Sequence, residues 1–404
     1  MPKLESYPAQ LSVRRLVPYL AAAIGLSVLV VIFTQAAIPG PAVEAEAGTR
    51  TGTATIQTLA GASGGSVVSF VPAATPTPTA TPTPAPTPAP TPTPTGACPN
   101  ASNTPGGPDP WGGCWPYAGN TGPSAAEASM TSYAGSCTVT AANVTIDSKI
   151  INCSPLYVGN GASGLIIKNS YLHGGVSQAS GSATFTIQDS LIDNAVSYPA
   201  CSGASSCAAG KYACGDPNNA TVDCGVTGQN FTIIRSEIIN SNRAAYCEGH
   251  CTIQDNYFHG TNLWPSQTNL AHASSVRNEQ YLTLSHNALG CDYAGPFPNG
   301  EIGCSADMSG YPDFAPIMHA TIVNNLFLAN NIGIGFCVYG GGTAGKPYSN
   351  DPNNATYMVF QNNVFQRGAN GKCGAYGPVT DYIAGRTGNV WTGNVWDNGS
   401  VLTP

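Results

Sequence analysis

Charged side chains are scarce in this chain, at 9% of 404 residues. Helix-forming Glu, Lys and Arg are too few to clothe the exposed faces of many helices, which argues against a compact α/β enzyme. Fourteen Lys and Arg against 21 Asp and Glu leave a net charge of −7, with no long run of either sign. A basic field that would draw in nucleic acid is absent, so no nucleic-acid partner is expected. No CxxC pair occurs, and with it goes the usual support for a zinc ribbon or a thioredoxin-like site.

Glycine, proline and cysteine are abundant instead, at 47, 33 and 14 residues. All the cysteines lie between Cys98 and Cys373, and many have a near neighbour: Cys98 and Cys114, Cys137 and Cys153, Cys291 and Cys304. Local disulfides formed in an oxidising compartment are the simplest reading, with the full connectivity left open. Cys247-Glu248-Gly249-His250-Cys251 has the look of a metal box. Alternation along a strand sends His250 and Cys251 to opposite faces, which favours a disulfide or buried thiols.

The chain divides by composition. Lys3, Arg14 and Arg15 precede an apolar run over 16–38, long enough at roughly 20 residues to span a bilayer. Ala45-Glu46-Ala47 has the small-x-small form of a cleavage site. Residues 1–47 are thus either a removed signal peptide or an anchor that stays in the membrane through 16–38. Residues 48–97 read as a disordered linker whose 74–95 stretch alternates Thr or Ala with Pro. Proline sets φ and removes donors, so that stretch should be extended polyproline II, reaching ~70 Å at ~3.1 Å per residue. Residues 98–136, with Trp111, Trp115 and Tyr117, read as an N-terminal cap, and 137–404 as the folded domain.

That domain repeats one pattern: VTIDSKII from Val144, LIIKNSYL from Leu165, FTIQDSLI from Phe185, FTIIRSEI from Phe231 and CTIQDNYF from Cys251. LTLSHNAL from Leu282, TIVNNLF from Thr321, VFQNNVF from Val359 and VWTGNVW from Val390 continue it. With the Thr of TI as register, the positions are 145, 166, 186, 232, 252, 283, 321, 359 and 390. Steps of 20 or 21 residues give the basic period, and steps of 31 to 46 add a loop or another coil. β-branched and aromatic residues in alternation mark strands, and such a period marks a solenoid. Leucine-rich repeats would need several Leu per unit, and a left-handed β-helix strict hexapeptides; neither is present. Four residues past the register stands a column of Lys149, Ser170, Ser190, Ser236, Asn256, Asn287, Asn325, Asn363 and Asn394. Coils stacked ~4.8 Å apart let the five asparagines form a structural hydrogen-bonded ladder.

These coils resemble the right-handed parallel β-helix superfamily that includes pectate and pectin lyases, and are most similar to bacterial secreted β-helix proteins of unassigned activity. KCGAYGPVT from Lys372 and GNVWTGNVWDNG from Gly388 are similar to the closing coils of that family, and the resemblance covers about residues 137–398. It implies an all-β, single-stranded, right-handed parallel β-helix with loop insertions. Together with the N-terminal segment it gives the expectation of an exported or surface-tethered protein, a monomer, that binds extracellular polysaccharide; if it is an enzyme, the resemblance implies a polysaccharide lyase or glycoside hydrolase. A non-catalytic adhesin or structural protein is the alternative. Calcium is the cofactor that the lyase reading admits.

Chemistry is expected in the insertions at 194–229, 260–280, 290–318, 329–356 and 367–387, centred on 260–318. Glycoside hydrolysis needs two carboxylates, yet the chain has no Asp-Asp and no Asp-x-Asp. Lyase chemistry needs a base beside a group that neutralises a uronate. The candidate catalytic residues are His272, Arg277, Asp292 and Asp307, with His259, Trp264, Asp313 and Arg367 as candidate binding residues. Where the family has a His followed closely by Asp-Gly, this chain has Ala273, Ser274 and Ser275 after His272. Trp391 and Trp396 are assigned to covering the last coil, with sugar stacking as the alternative for them and for Trp111 and Trp115, and His173 with Asp193 to a structural rather than a catalytic pair on successive coils.

Overall fold

The computed structural model describes residues 54–58, 66–70, 97–178, 181–194, 224–261, 273–293 and 304–404. The 16–38 segment, the 45–47 triplet and the 74–95 stretch lie outside them. Among the described residues no helix is long and apolar enough to cross a membrane. Within Met1–Pro90, strands Ala54–Thr58 and Ser66–Phe70 pair antiparallel, where a disordered linker was expected. ATIQT and SVVSF are rich in β-branched residues, a strand signal that the overall polarity of the segment hides.

The chain from Thr131 to Trp396 winds into a parallel β-helix in which each coil gives one short strand to each of three sheets. The first face has nine strands, Thr145–Asp147 to Val390–Thr392; the second ten, Thr131–Ser132 to Val395–Trp396; the third nine, Thr138–Val139 to Gly377–Thr380. Thr145, Ile166, Thr186, Thr232, Thr252, Thr283, Thr321, Val359 and Val390 pair one to the next along the first face. Thr186 pairs directly with Thr232 across the longest step, so the long steps are single coils carrying insertions. Ile146, Ile167, Ile187, Ile233, Ile253, Leu284, Ile322 and Phe360 turn inward from this face, each 3% exposed or less.

The third face corrects the expected insertions. Strands Cys224–Gln229, Ala273–Asn278, Cys304–Gly310, Phe336–Gly340 and Gly377–Thr380 all fall in segments expected to be loops. Ala273–Asn278 and Cys304–Gly310 are buried along their whole length. With both sides covered, such strands need no alternation, and ASSVRN and CSADMSG show none.

The corner between the first and second faces is made by one residue in the left-handed region on each coil, among them Asp189, Asp255, Asn324 and Asn362, with φ of 48° to 59°. Asn and Asp tolerate that region best, which explains their recurrence there. The next residue forms the ladder. Asn256 Nδ2 donates to Asn287 Oδ1 at 2.9 Å, and Asn287, Asn325 and Asn363 repeat the bond to Asn325, Asn363 and Asn394 at 2.9–3.0 Å. Each acceptor oxygen also takes the backbone N–H of the coil before it, at 2.9–3.0 Å. The serines extend the column: the amides of Ser170 and Ser190 donate to Ser190 Oγ and Ser236 Oγ, and Ser236 N donates to Asn256 Oδ1.

Among the described residues, five disulfides hold the corners and loops: Cys98–Cys114, Cys137–Cys153, Cys247–Cys251, Cys291–Cys304 and Cys337–Cys373. The three sequence neighbours singled out above pair as expected, and the CEGHC box is a disulfide. Such a set belongs to an oxidising environment. The last coil is closed by the tail: Trp391 packs on Phe360 at 5.2 Å and donates Nε1 to the carbonyl of buried Leu402.

The segment expected to cap the N-terminal end runs instead along the second face as a strap. Asn103 Nδ2 reaches the Asp397 carbonyl in the last coil, and Gly122 N reaches the Arg235 carbonyl far back along the helix. Trp115 is fully buried against Ala288, Leu326 and Val364. Its ring stacks on His286 at 5.4 Å, and His286 bonds Asp255 through Nδ1 and the strap's Asp109 through Nε2, at 2.6 and 3.1 Å. Burial works against the imidazolium, but bonds to Asp109 and Asp255 outweigh it and lift the His286 pKa to about 9. A raised pKa stabilises the fold fully below the ordinary value near 6.5, and that contribution is lost as pH rises through about 9. Amide hydrogen exchange across 98–122 should therefore accelerate, relative to the coils, between pH 7 and 10. His286→Gln should show the faster strap exchange already at pH 7 and flatten this relative change.

Candidate active site

Arg277 and Glu279 lie two residues apart at the end of the strand Ala273–Asn278, on the outer side of the third face. The pairing along this face puts Thr227, Tyr246, Arg277, Ser309, Tyr339 and Thr380 in one column. The neighbouring column, Val226, Ala245, Val276, Met308, Val338 and Val379, pairs in the same way and belongs to the core. A regular core thus fixes the spacing of the polar column outside it.

Arg277 and Glu279 are both buried, with side chains 8% and 2% exposed. Nε and Nη2 of Arg277 both approach Glu279 Oε1 at 3.0 Å, and the Tyr246 hydroxyl donates to the same oxygen at 3.0 Å. Glu279 Oε2 is buried with no hydrogen-bond partner among the described residues. Burial, only partly offset by Arg277 and Tyr246, raises the Glu279 carboxyl to about 7. A carboxylate leaving one buried oxygen unsatisfied is costly, and a proton on that oxygen relieves the cost. Glu279 therefore exchanges a proton near neutrality, the range in which a general acid or base works best.

Asp313 follows the next strand of the third face. Its Oδ2 accepts from Arg277 Nη2 at 3.0 Å and its Oδ1 pairs with Lys346 at 3.0 Å. Burial pushes its pKa up, but the bonds from Lys346 and Arg277 win and hold it below the ordinary value, so Asp313 stays ionised. Rings enclose the guanidinium, with Tyr246, Tyr311 and Phe314 centroids 5.3, 6.0 and 5.1 Å from Arg277 Cζ. Burial also drives the Tyr246 and Tyr311 hydroxyls upward, so both stay neutral donors. The aromatic edge continues from Tyr311 to Tyr339, Phe336 and Tyr376, and Phe314 and Tyr376 are 66% and 67% exposed. The cluster combines a titrating carboxyl, a fixed cation and a wet aromatic rim.

Of the residues expected from sequence, Arg277 and Asp313 meet here. The others are placed differently. Asp292 accepts the Gly260 and Thr261 backbone amides at 2.9 and 2.7 Å, which closes a loop. Asp307 is fully buried in the interior, takes the Cys291 amide at 2.8 Å, and is driven by burial well above the ordinary carboxyl pKa. His259 bonds Glu237 at 2.7 Å and stacks on Tyr257, while Arg367 pairs with Asp397 in the closing coil. His173 and Asp193 sit in register on successive coils, yet His173 pairs with Glu127 and Asp193 accepts from Asn240. His272 and Trp264 lie outside the described residues.

Calcium takes six to eight oxygens, several of them carboxylates. Asp292, Asp307 and Asp313 are committed to backbone amides, to the interior and to two cations, so they do not make such a site. The one three-ligand grouping among the described residues is Asp307, Cys337 and Cys373, and its two sulfurs are joined in a disulfide. Sequence reasoning missed Glu279, Tyr246 and Lys346. The signal for Glu279 was its place two residues after Arg277, which puts both side chains on one side of a strand.

Comparisons with protein-family models, with curated proteins and with solved structures give no match to this chain.

Proposed function

We propose that this is an exported or surface-tethered β-helix protein that binds extracellular polysaccharide through the aromatic edge of the third face and cleaves it with Glu279 as the proton carrier. The observation that carries the reading is Glu279 itself, buried beside Arg277 with Oε2 unpaired among the described residues, a setting whose burial pushes the carboxyl up to about 7. Glu279 would take the proton from the sugar ring as the ring carbon–oxygen bond to the next sugar breaks and a double bond forms, and would return that proton to the leaving oxygen. Arg277, fixed by Glu279 and Asp313, would steady negative charge that develops next to it. Phe314 and Tyr376 offer apolar surface to sugar rings. The disulfide set supports export, and the resemblance of the coils to pectate and pectin lyases supports a polyanionic glycan.

An adhesin is the second reading, and one observation favours it. His250, Tyr281, His319 and Tyr357 stack as an exposed row on four successive coils, with centroids 4.3, 4.9 and 4.4 Å apart. Their ring edges form a periodic comb of polar atoms alongside the first face. A screen of the protein on uronate and neutral polysaccharides, followed by unsaturated-product absorbance and by reducing ends, separates the two. Product formation supports the enzyme; retention on glycans with no product from any polymer supports the adhesin.

A further inference from the structure

A guanidinium beside a carboxylate ordinarily lays its fork across both oxygens. Arg277 does not do so with Glu279. Its Nε and Nη2 converge on Oε1 alone, and Oε2 is left bare. The cause is on the other side of the same nitrogen: Nη2 is also held at 3.0 Å by Asp313 Oδ2. Asp313 is fixed in turn by Lys346, whose Nζ sits 3.0 Å from Oδ1 and 5.2 Å from the Tyr311 ring centroid. Cation, anion and cation thus alternate outward from the buried carboxyl, and Arg277 is divided between two acids.

We propose that Asp313, braced by Lys346, is a positioning residue that holds the Arg277 guanidinium away from Glu279 Oε2 and so favours the protonated form of that carboxyl. It rests on the reading of Glu279 as the proton carrier and says what sets that carrier's charge. The ionisable groups around Glu279 are few. Arg277 comes from its own strand. Tyr246 comes from the preceding coil, where Arg243 and Glu248 act on Tyr246 in turn. Asp313 and Tyr311 come from the following coil, with Lys346 beyond them. Burial favours the acid form of Glu279, Arg277 and Tyr246 oppose it, and the negative charge of Asp313 supports it.

The test is the titration of Glu279 in the full chain, labelled with carbon-13 at the glutamate carboxyl. Eight glutamates make a readable spectrum, and Glu279→Gln assigns the resonance. Asp313→Asn removes a charge with little change of shape and should lower the Glu279 midpoint by about one pH unit or more. Lys346→Met leaves Asp313 uncompensated and should raise it. Asp313→Glu should restore the wild-type midpoint. A packing role alone predicts no such pair of opposite movements. An unchanged or raised midpoint in Asp313→Asn overturns the proposal. Lys346 is 36% exposed and its variant should fold whether or not Asp313→Asn does, so an unchanged or lowered midpoint in Lys346→Met overturns it equally. These shifts are read without substrate. If they appear and no polymer is cleaved, the positioning role stands and the enzymatic reading falls. If polymer is cleaved and the midpoint does not move, the reverse holds.

Discussion

Replacing Asn325 by leucine will lower the unfolding free energy by about 4 kcal/mol, several times the cost of a typical surface substitution. Asn325 Nδ2 donates to the Leu284 and Val323 carbonyls and to Asn363 Oδ1, and its Oδ1 accepts Asn287 N and Asn287 Nδ2. It is fully buried, so none of these partners can turn to water when the amide is gone. Each orphaned group costs on the order of 1–3 kcal/mol, and relaxation of the coil recovers part of the sum. Ser190→Ala should cost far less, about 1 kcal/mol, because Ser190 Oγ serves only the Ser170 amide and the Gln188 carbonyl. Guanidinium midpoints of the two variants check the ranking; equal midpoints would mean that the ladder is incidental to the coil stack.

The second large effect is chemical. On any polymer the wild type cleaves, Glu279→Gln should lose about 10²- to 10⁴-fold in kcat, since glutamine keeps the shape but can neither give nor take a proton in this pH range. The pH dependence of the wild-type rate should have a limb near 7, the value burial imposes on Glu279, and the variant should lack it. Its fold should be unchanged, because Oε1 of the amide still accepts from Tyr246 and Arg277. A variant that retains more than a tenth of the wild-type rate would remove Glu279 from the chemistry.

The first face and the ladder were legible in the sequence because both rest on local rules. Alternation of buried Ile and outward-facing Thr has a period of two, and each coil repeats it at a fixed place relative to the Ser or Asn column. The register at Thr186, Thr232 and Thr252 follows from those letters alone. The third face was not legible, because ASSVRN and CSADMSG are covered on both sides and show no alternation to count. The site suffered from the same cause. Arg277 and Asp313 were within reach as charged residues of the 260–318 region. Asp292 and Asp307 looked equivalent to them, and only burial and backbone contacts separate a loop clasp and an interior acid from a paired anion. Glu279 was hidden by its setting: its partners Tyr246 and Asp313 come from the coils before and after, 33 and 34 residues away.

A buried carboxyl on the third face that changes charge near neutral pH underlies both the chemistry and its control. The most direct measurement is the infrared difference between wild type and Glu279→Gln, followed from pH 5 to 9 in the protonated-carboxyl region. The structure predicts a band from Glu279 that disappears with a midpoint near 7. A carboxylate already ionised at pH 5, with a midpoint at the ordinary glutamate value of about 4.3, would contradict it.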